Sequence, residues 1–352
     1  MLHSRDPRIG RHVGSTPLAL GLVLVLALLA LAGCGDSDDE ADDTAADEVT
    51  TSVPAGPSAA DTTAAPDEDE VEDDLVIVDI ADFSFDLASL GVTPVANGYG
   101  PEFLSGTIDQ FPLSEDQQRS ILAAENIAPA FVLNVEAVID LQPDLVLTST
   151  ANAAFWADPM AQIDEAIGVV TIDDSLGWQD RSRAITAAIG REGAYDERIA
   201  AAEASIVETA ARVEEMGLQG TEVSVLWSFS NVLSAMVTPS LASTTLEAVG
   251  LTQPDAQLVE QPESSIEPDY AAATLIAAEN LGAHDADALI VLNTADASSV
   301  TAEWPDSYPQ ELISVLTDGP VLAGAYFTWS LNTVVGVEAI VRDINLLLDQ
   351  MG

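Results

Sequence analysis

One segment occurs twice, about 140 residues apart, and it constrains the fold more than any other feature of this chain. Residues 134–147 run Asn134-Val-Glu136-Ala-Val-Ile-Asp-Leu-Gln-Pro-Asp144-Leu-Val-Leu147. Residues 277–290 run Ala277-Ala-Glu279-Asn-Leu-Gly-Ala-His-Asp-Ala-Asp287-Ala-Leu-Ile290. In each copy a glutamate opens a short helical stretch, an aspartate follows eight residues later, and a short aliphatic run comes next. Such a run suits a strand buried on both faces of a parallel sheet. The unit is helix, tight turn, buried strand, once in each half of the molecule. It predicts two similar α/β lobes, each with a mostly parallel sheet flanked by helices, joined by a long helix.

The rest of the chain fits that scheme. Leu75 to Ile80 is a first buried strand, followed by a helix through Leu90 that Gly91 terminates. Thr93 to Ala96 is a second short strand, and Asn97 to Gly100 a loop. Phe155 and Trp156 fall in a loop after the first repeat, Val169 to Ile172 is a strand, and Trp178 falls in the next loop. Alternation of this kind indicates βαβ units. Two helical stretches follow, broken near Gly190 to Gly193. The second, Tyr195 to Met216, puts Ile199, Ala202, Ile206, Ala210 and Val213 on one stripe. Glu222 to Leu226 starts a second series, with a helix over Thr244 to Gly250, a strand at 288–292 and a final helix from Val335 to Gln350. The boundaries are therefore 75–178 for the first lobe, 179–217 for the linking helices and 218–352 for the second lobe.

The N-terminus bears on compartment. Arg5, Arg8 and Arg11 precede an apolar run from Leu18 to Leu31, too short to span a bilayer comfortably, which closes on Leu31-Ala32-Gly33-Cys34. Residues 1–34 read as a signal peptide, and the closing tetrapeptide resembles the bacterial lipobox, in which the cysteine is lipidated. Cys34 is the only cysteine, so an intrachain disulfide is excluded. Residues 35–74 hold sixteen acids and no base, the composition of an extended tether. Past Cys34, seven arginines face fifty-eight acids, and the chain has no lysine. That argues against nucleic-acid binding, which needs basic patches, and it repels an anionic membrane surface, leaving attachment to the lipid.

Together the lipobox, both glutamate units and the linking helix resemble the class III substrate-binding lipoproteins of bacterial ABC importers, which capture ferric siderophores, cobalamin or haem. The similarity runs from Leu75 to the end; Leu90-Gly-Val-Thr-Pro-Val95, Trp178-Gln-Asp-Arg181 and Ala188-Ile-Gly-Arg191 also match family habits. The resemblance implies a monomer on the outer face of the cytoplasmic membrane, with a rigid cleft between lobes and no catalytic activity. It also implies that Glu136 and Glu279 dock arginines of the permease subunits, as bidentate pairs allow. An acid in the first turn of a helix is also favourable without a partner. Ala277 and His284 stand where the family has a capping serine and an apolar residue.

Ligands in such folds are met by loops beyond the carboxyl ends of the strands. Those loops are expected to carry Tyr99, Phe155, Trp156, Trp178, Arg181, Trp227, Phe229, Tyr326 and Trp329, with Trp156, Trp178, Trp227 and Trp329 as the leading aromatic candidates for a bulky chelate. No cofactor and no protein metal site is expected, since His284 is the one histidine past Cys34. With so few bases, a neutral or cationic chelate such as a ferric hydroxamate fits better than an anionic catecholate. Cobalamin or haem is the alternative ligand, with Tyr99 or Tyr326 as a haem ligand. A lipid-anchored hydrolase is less well supported: the chain has no Gly-x-Ser-x-Gly elbow, Walker loop or dinucleotide fingerprint.

Overall fold

A computed structural model describes residues 75–100, 104–106, 108–259, 271–294 and 296–352. The segments expected to be a signal peptide ending at Cys34 and an acidic tether, residues 1–74, lie outside the described residues. Asp74–Gly352 forms one compact unit containing two five-stranded sheets.

The first sheet holds β1 (Ile77–Asp79), β2 (Ala96–Asn97), β3 (Glu125–Asn126), β4 (Leu145–Ser149) and β5 (Val170–Ile172), in the order β3-β2-β1-β4-β5 and parallel throughout. Its aliphatic runs are continuous because both faces are covered. Val78 and Val146 point into one apolar cluster with Ile163, while Ile77 and Leu147 point into another with Ile172 and Ile185. The expected strand at Thr93 to Ala96 is confined to Ala96–Asn97. Phe155 and Trp156 are not in a loop: helix α1 (Thr150–Phe155) and helix α2 (Ala157–Ile167) meet at Trp156. Trp178 opens helix α3 (Trp178–Ala188) rather than lying in a loop.

Helix α4 (Asp196–Met216) connects the lobes, buries Ile199, Ala202 and Val213, and ends at Gly217, whose φ of 71° is the left-handed geometry of a C-terminal cap. The second sheet holds β6 (Val223–Phe229), β7 (Val232–Ser240), β8 (Ala271–Leu275), β9 (Ala288–Asn293) and β10 (Val321–Ala325), in the order β10-β9-β6-β7-β8. Strands β10, β9 and β6 are parallel, but β7 runs against both neighbours, in a hairpin the sequence did not announce. Its two-residue turn is Ser230-Asn231, with φ of 46° and 70°, the positive pair a tight hairpin needs. Final helix α5 (Val334–Met351) packs on α4 and buries Val337, Ile340, Ile344, Leu347 and Leu348.

The repeated aspartates have the same structural task. Asp144 Oδ2 accepts the Val76 N–H at 2.9 Å, and Asp287 Oδ2 accepts the Glu222 N–H at 3.1 Å. Each tie fastens the repeat to the residue leading into the first strand of its own lobe, the strand beside which the repeat's strand lies.

The lobes share one apolar cluster. Phe85, Leu104, Phe111 and Ile121 of the first lobe pack with Trp329, Leu331, Val334 and Val335 of the second and with Tyr195 and Ile199 at the start of α4. Polar ties cross the same interface: Asn332 Nδ2 donates to Leu176 O at 2.8 Å, and Val334 N–H donates to Ser182 Oγ at 2.8 Å. A continuous core between lobes resists hinge bending, because opening it would expose apolar surface.

Candidate functional site

The carboxyl ends of the second sheet carry a row of aromatic rings. Trp227, near the end of β6, stacks on Tyr326 just past β10, with centroids 4.0 Å apart and planes 14° apart. Phe229 continues the row on one side, 5.7 Å from Trp227. On the other side Phe327 meets Tyr326 edge-on at 5.7 Å, and Tyr99 of the first lobe meets Phe327 edge-on at 5.6 Å. Five rings thus run from one lobe to the other at the strand ends, where open α/β sheets bind ligands. Trp227, Phe229 and Tyr99 are half-buried, while Tyr326 and Phe327 are buried beneath them. The Trp227 indole donates to Thr294 Oγ1 at 2.9 Å, which fixes the ring orientation. Glu303 braces that loop, its carboxylate accepting the Thr294 and Asp296 N–H groups at 2.8 and 2.9 Å.

The corresponding end of the first sheet is closed by its own charges. Arg181 is fully buried, with Nη2 3.1 Å from Asp174 and 3.3 Å from Asp82 and the guanidinium 5.0 Å from the Phe83 ring centroid. Asp174 Oδ2 also accepts the Ala151 N–H at 2.7 Å and the Thr150 hydroxyl at 3.0 Å. Asp79, at the end of β1, is buried beside this cluster; loss of water pushes its pKa up to about 6, against a smaller lowering by the Ser84 hydroxyl. Arg181 is therefore a structural cation, not the ligand-facing base expected of it.

The other candidates divide. Trp227, Tyr326 and Tyr99 come together in the row with Phe229. Trp329 does not join them: it is fully buried, and its indole donates to Asp343 at 2.9 Å. Trp156 is a core residue of the first lobe whose indole donates to Phe131 O at 3.1 Å. Trp178 is half-buried against the inter-lobe cluster. Phe327, Thr294 and Glu303 also take part in the row or its support, and the only mark of this in the sequence is the place of Phe327 beside Tyr326 after a strand.

Glu136 and Glu279 are both exposed. Glu136 sits in the first turn of the helix Val135–Asp140, capped by Asn134, whose Oδ1 accepts the Ala137 N–H at 3.1 Å. Glu279 sits in the first turn of a 3-10 helix, Ala278–His284, with Ala277 offering no cap. His284 is buried at the end of that helix, 3.4 Å from Gln257 Nε2, and burial lowers its pKa. Among the described residues, no group of three His, Cys, Asp or Glu side chains is placed to hold a metal ion, and no helix is long and apolar enough to cross a membrane.

No family model matches the sequence, and no curated protein matches it either. Solved structures do. The siderophore periplasmic binding protein from the fuscachelin gene cluster of Thermobifida fusca is similar with a TM-score of 0.58 at 13% identity, covering 78% of this chain and 96% of that one. FhuD2 of Staphylococcus aureus, with bound ferrioxamine B, is similar at 0.57 and 14%, covering 79% and 100%. The catecholate-siderophore binding protein VctP of Vibrio cholerae is similar at 0.54 and 16%, covering 77% and 93%. The chain has the two-lobed α/β fold of these siderophore-binding proteins.

Proposed function

We propose that this protein is the substrate-binding lipoprotein of an ABC importer, held by lipidated Cys34 on the outer face of the cytoplasmic membrane, and that it captures a ferric siderophore. The aromatic row joining the lobes carries this reading. It supplies broad apolar contact with polar edges, the surface a bulky amphipathic chelate requires, on a fold shared with proteins that bind such chelates.

The structural neighbours include both a ferrioxamine B complex and a catecholate binder, so the choice of ligand rests on this chain. The segments carrying the row, 97–100, 227–231 and 326–333, contain no basic residue. The first lobe's buried base, Arg181, is engaged with Asp82 and Asp174. A neutral or cationic ferric hydroxamate suits such a site; a highly anionic catecholate would find no compensating base in these segments. Titration with ferrioxamine B and with a ferric tris-catecholate, followed by tryptophan quenching, tests the assignment. Saturable quenching by the hydroxamate at micromolar concentration or below is expected, and tight binding of the catecholate alone would overturn the hydroxamate assignment.

Glu136 and Glu279 dock the permease. The Glu136→Ala, Glu279→Ala double variant is expected to bind chelate normally and to lose importer-dependent uptake; unchanged uptake would leave both residues as helix-end charges.

A further inference from the structure

The polar groups at the second-lobe end of the aromatic row are acceptors in excess. Asn293 ends β9 and pairs in register with Ser228 of β6 and Ala325 of β10. It therefore lies between the strand that carries Trp227 and the strand that leads to Tyr326. Its side chain is fully buried: Nδ2 donates to Ser299 O at 2.9 Å, while Oδ1 takes no hydrogen bond among the described residues. A buried acceptor left in that state is costly.

Glu303 adds a charge. Its carboxylate takes the Thr294 and Asp296 N–H groups, its carbonyl takes the Ser228 hydroxyl, and Thr294 in turn holds the Trp227 indole. One half-buried acid thus grips the surroundings of the Trp227 ring from two sides. Residues 293–303 contain two acids and no base. The other acid, Asp296, is exposed, and its carboxylate accepts the Ser298 N–H at 2.9 Å. Arg342 reaches Gln110, whose side chain meets Ala297 O at 3.5 Å, but its guanidinium is paired with Asp343 at 2.7 Å.

We propose that Glu303 sets the charge of the ligand: with the unpaired Asn293 acceptor it makes this end of the row a subsite for a cationic group, an ammonium carried by the chelate. This rests on the reading of the row as a chelate site. An indole face itself favours a cation, and a carboxylate close by strengthens that preference where water is partly excluded. A bare divalent cation does not fit, because among the described residues no group of three His, Cys, Asp or Glu side chains converges, and one carboxylate held by two N–H donors offers too few hard ligands.

The test compares ferrioxamine B, which has a neutral ferric trihydroxamate core and a pendant ammonium, with its N-acetylated form, which keeps the core and loses the charge. Tryptophan quenching of the full-length protein gives both dissociation constants. The parent is expected to bind ferrioxamine B about fivefold more tightly, the worth of one partly screened charge pair. Glu303→Gln should bring the two chelates within about twofold of each other. If the amide also disturbs the loop, both constants rise together and their ratio still reports the charge. Asp296→Asn and Thr294→Val should keep the preference, the first because its charge faces water, the second because it frees the ring and leaves the carboxylate. Equal binding of the two chelates by the parent, or a preference that survives Glu303→Gln, overturns the subsite and leaves the chelate reading standing. A preference lost equally in Thr294→Val assigns it to ring orientation and overturns the subsite as well. Binding of neither chelate overturns both.

Discussion

At equivalent places in the fold the two lobes present opposite chemistry. The strand ends of the second sheet carry partly exposed rings, Trp227 and Phe229 above Tyr326. The strand ends of the first sheet are plugged by Arg181, Asp82 and Asp174 with Asp79 alongside. One lobe spends its polar groups on itself and the other leaves aromatic surface open. On the proposed reading the ligand grip belongs to the second lobe, and Tyr99 is the first lobe's addition to the row through Phe327.

The sharpest way to break that contrast is Arg181→Met. Removing one partner of a buried ion cluster strands the other charges, and the expected loss is about 3–5 kcal/mol in urea unfolding. If Arg181 is structural, the fraction still folded binds ferrioxamine B with unchanged affinity. Lost affinity with full stability would return Arg181 to the ligand site.

A second buried acid lies where the lobes meet. Asp86 is fully buried, and loss of water pushes its pKa up to about 7, against a smaller lowering by the Thr333 hydroxyl of the second lobe. Because the folded value lies above the ordinary 3.8, folding favours the protonated acid. The stability this contributes is full below about pH 4 and is lost as pH rises through 7. Asp86→Asn, which mimics the protonated acid, should therefore gain on the parent protein by on the order of 3 kcal/mol between pH 4 and pH 8. A stability difference that does not change with pH would show that Asp86 ionises freely in the folded protein.

Trp227→Leu tests the open side of the comparison. About tenfold weaker ferrioxamine B binding, roughly 1.4 kcal/mol, is expected from loss of one stacking face. Trp156→Leu, in the first lobe's core, should cost stability and leave affinity alone. Equal effects of the two on affinity would dissolve the distinction between the rings.

The sheets were legible in the sequence because strands covered on both faces are uninterrupted aliphatic runs, as Leu145 to Leu147 and Ala288 to Leu292 are. The β6–β7 hairpin was not, since Ser230-Asn231 lacks the glycine that advertises such a turn. The aromatic row was half legible. Trp227, Tyr326 and Tyr99 stand out as aromatics after strands, but nothing local distinguishes them from Trp329. What buries Trp329 is a carboxylate acceptor fourteen residues on, Asp343, which satisfies the indole N–H inside the core. Arg181 misled for the same reason: its partners, Asp82 and Asp174, converge only when β1 and β5 end at the same edge of the sheet.

The smallest expected effects separate the two repeats themselves. The first has a capped α-helical turn and the second an uncapped 3-10 turn, yet both present the glutamate to water and both keep the aspartate tie. Asn134→Ala should cost about 1 kcal/mol, the usual worth of an N-cap. Ala277→Ser should gain a comparable or smaller amount by giving the Ala278–His284 helix the acceptor it lacks. Opposite signs in urea unfolding would show that cap chemistry differs between the lobes without deciding where the glutamate points. If Ala277→Ser instead destabilises, the 3-10 geometry of the second repeat is set by the approach of Gly282 to the Leu312 backbone and by the burial of its own His284 beside Gln257, and a cap cannot be added without disturbing them.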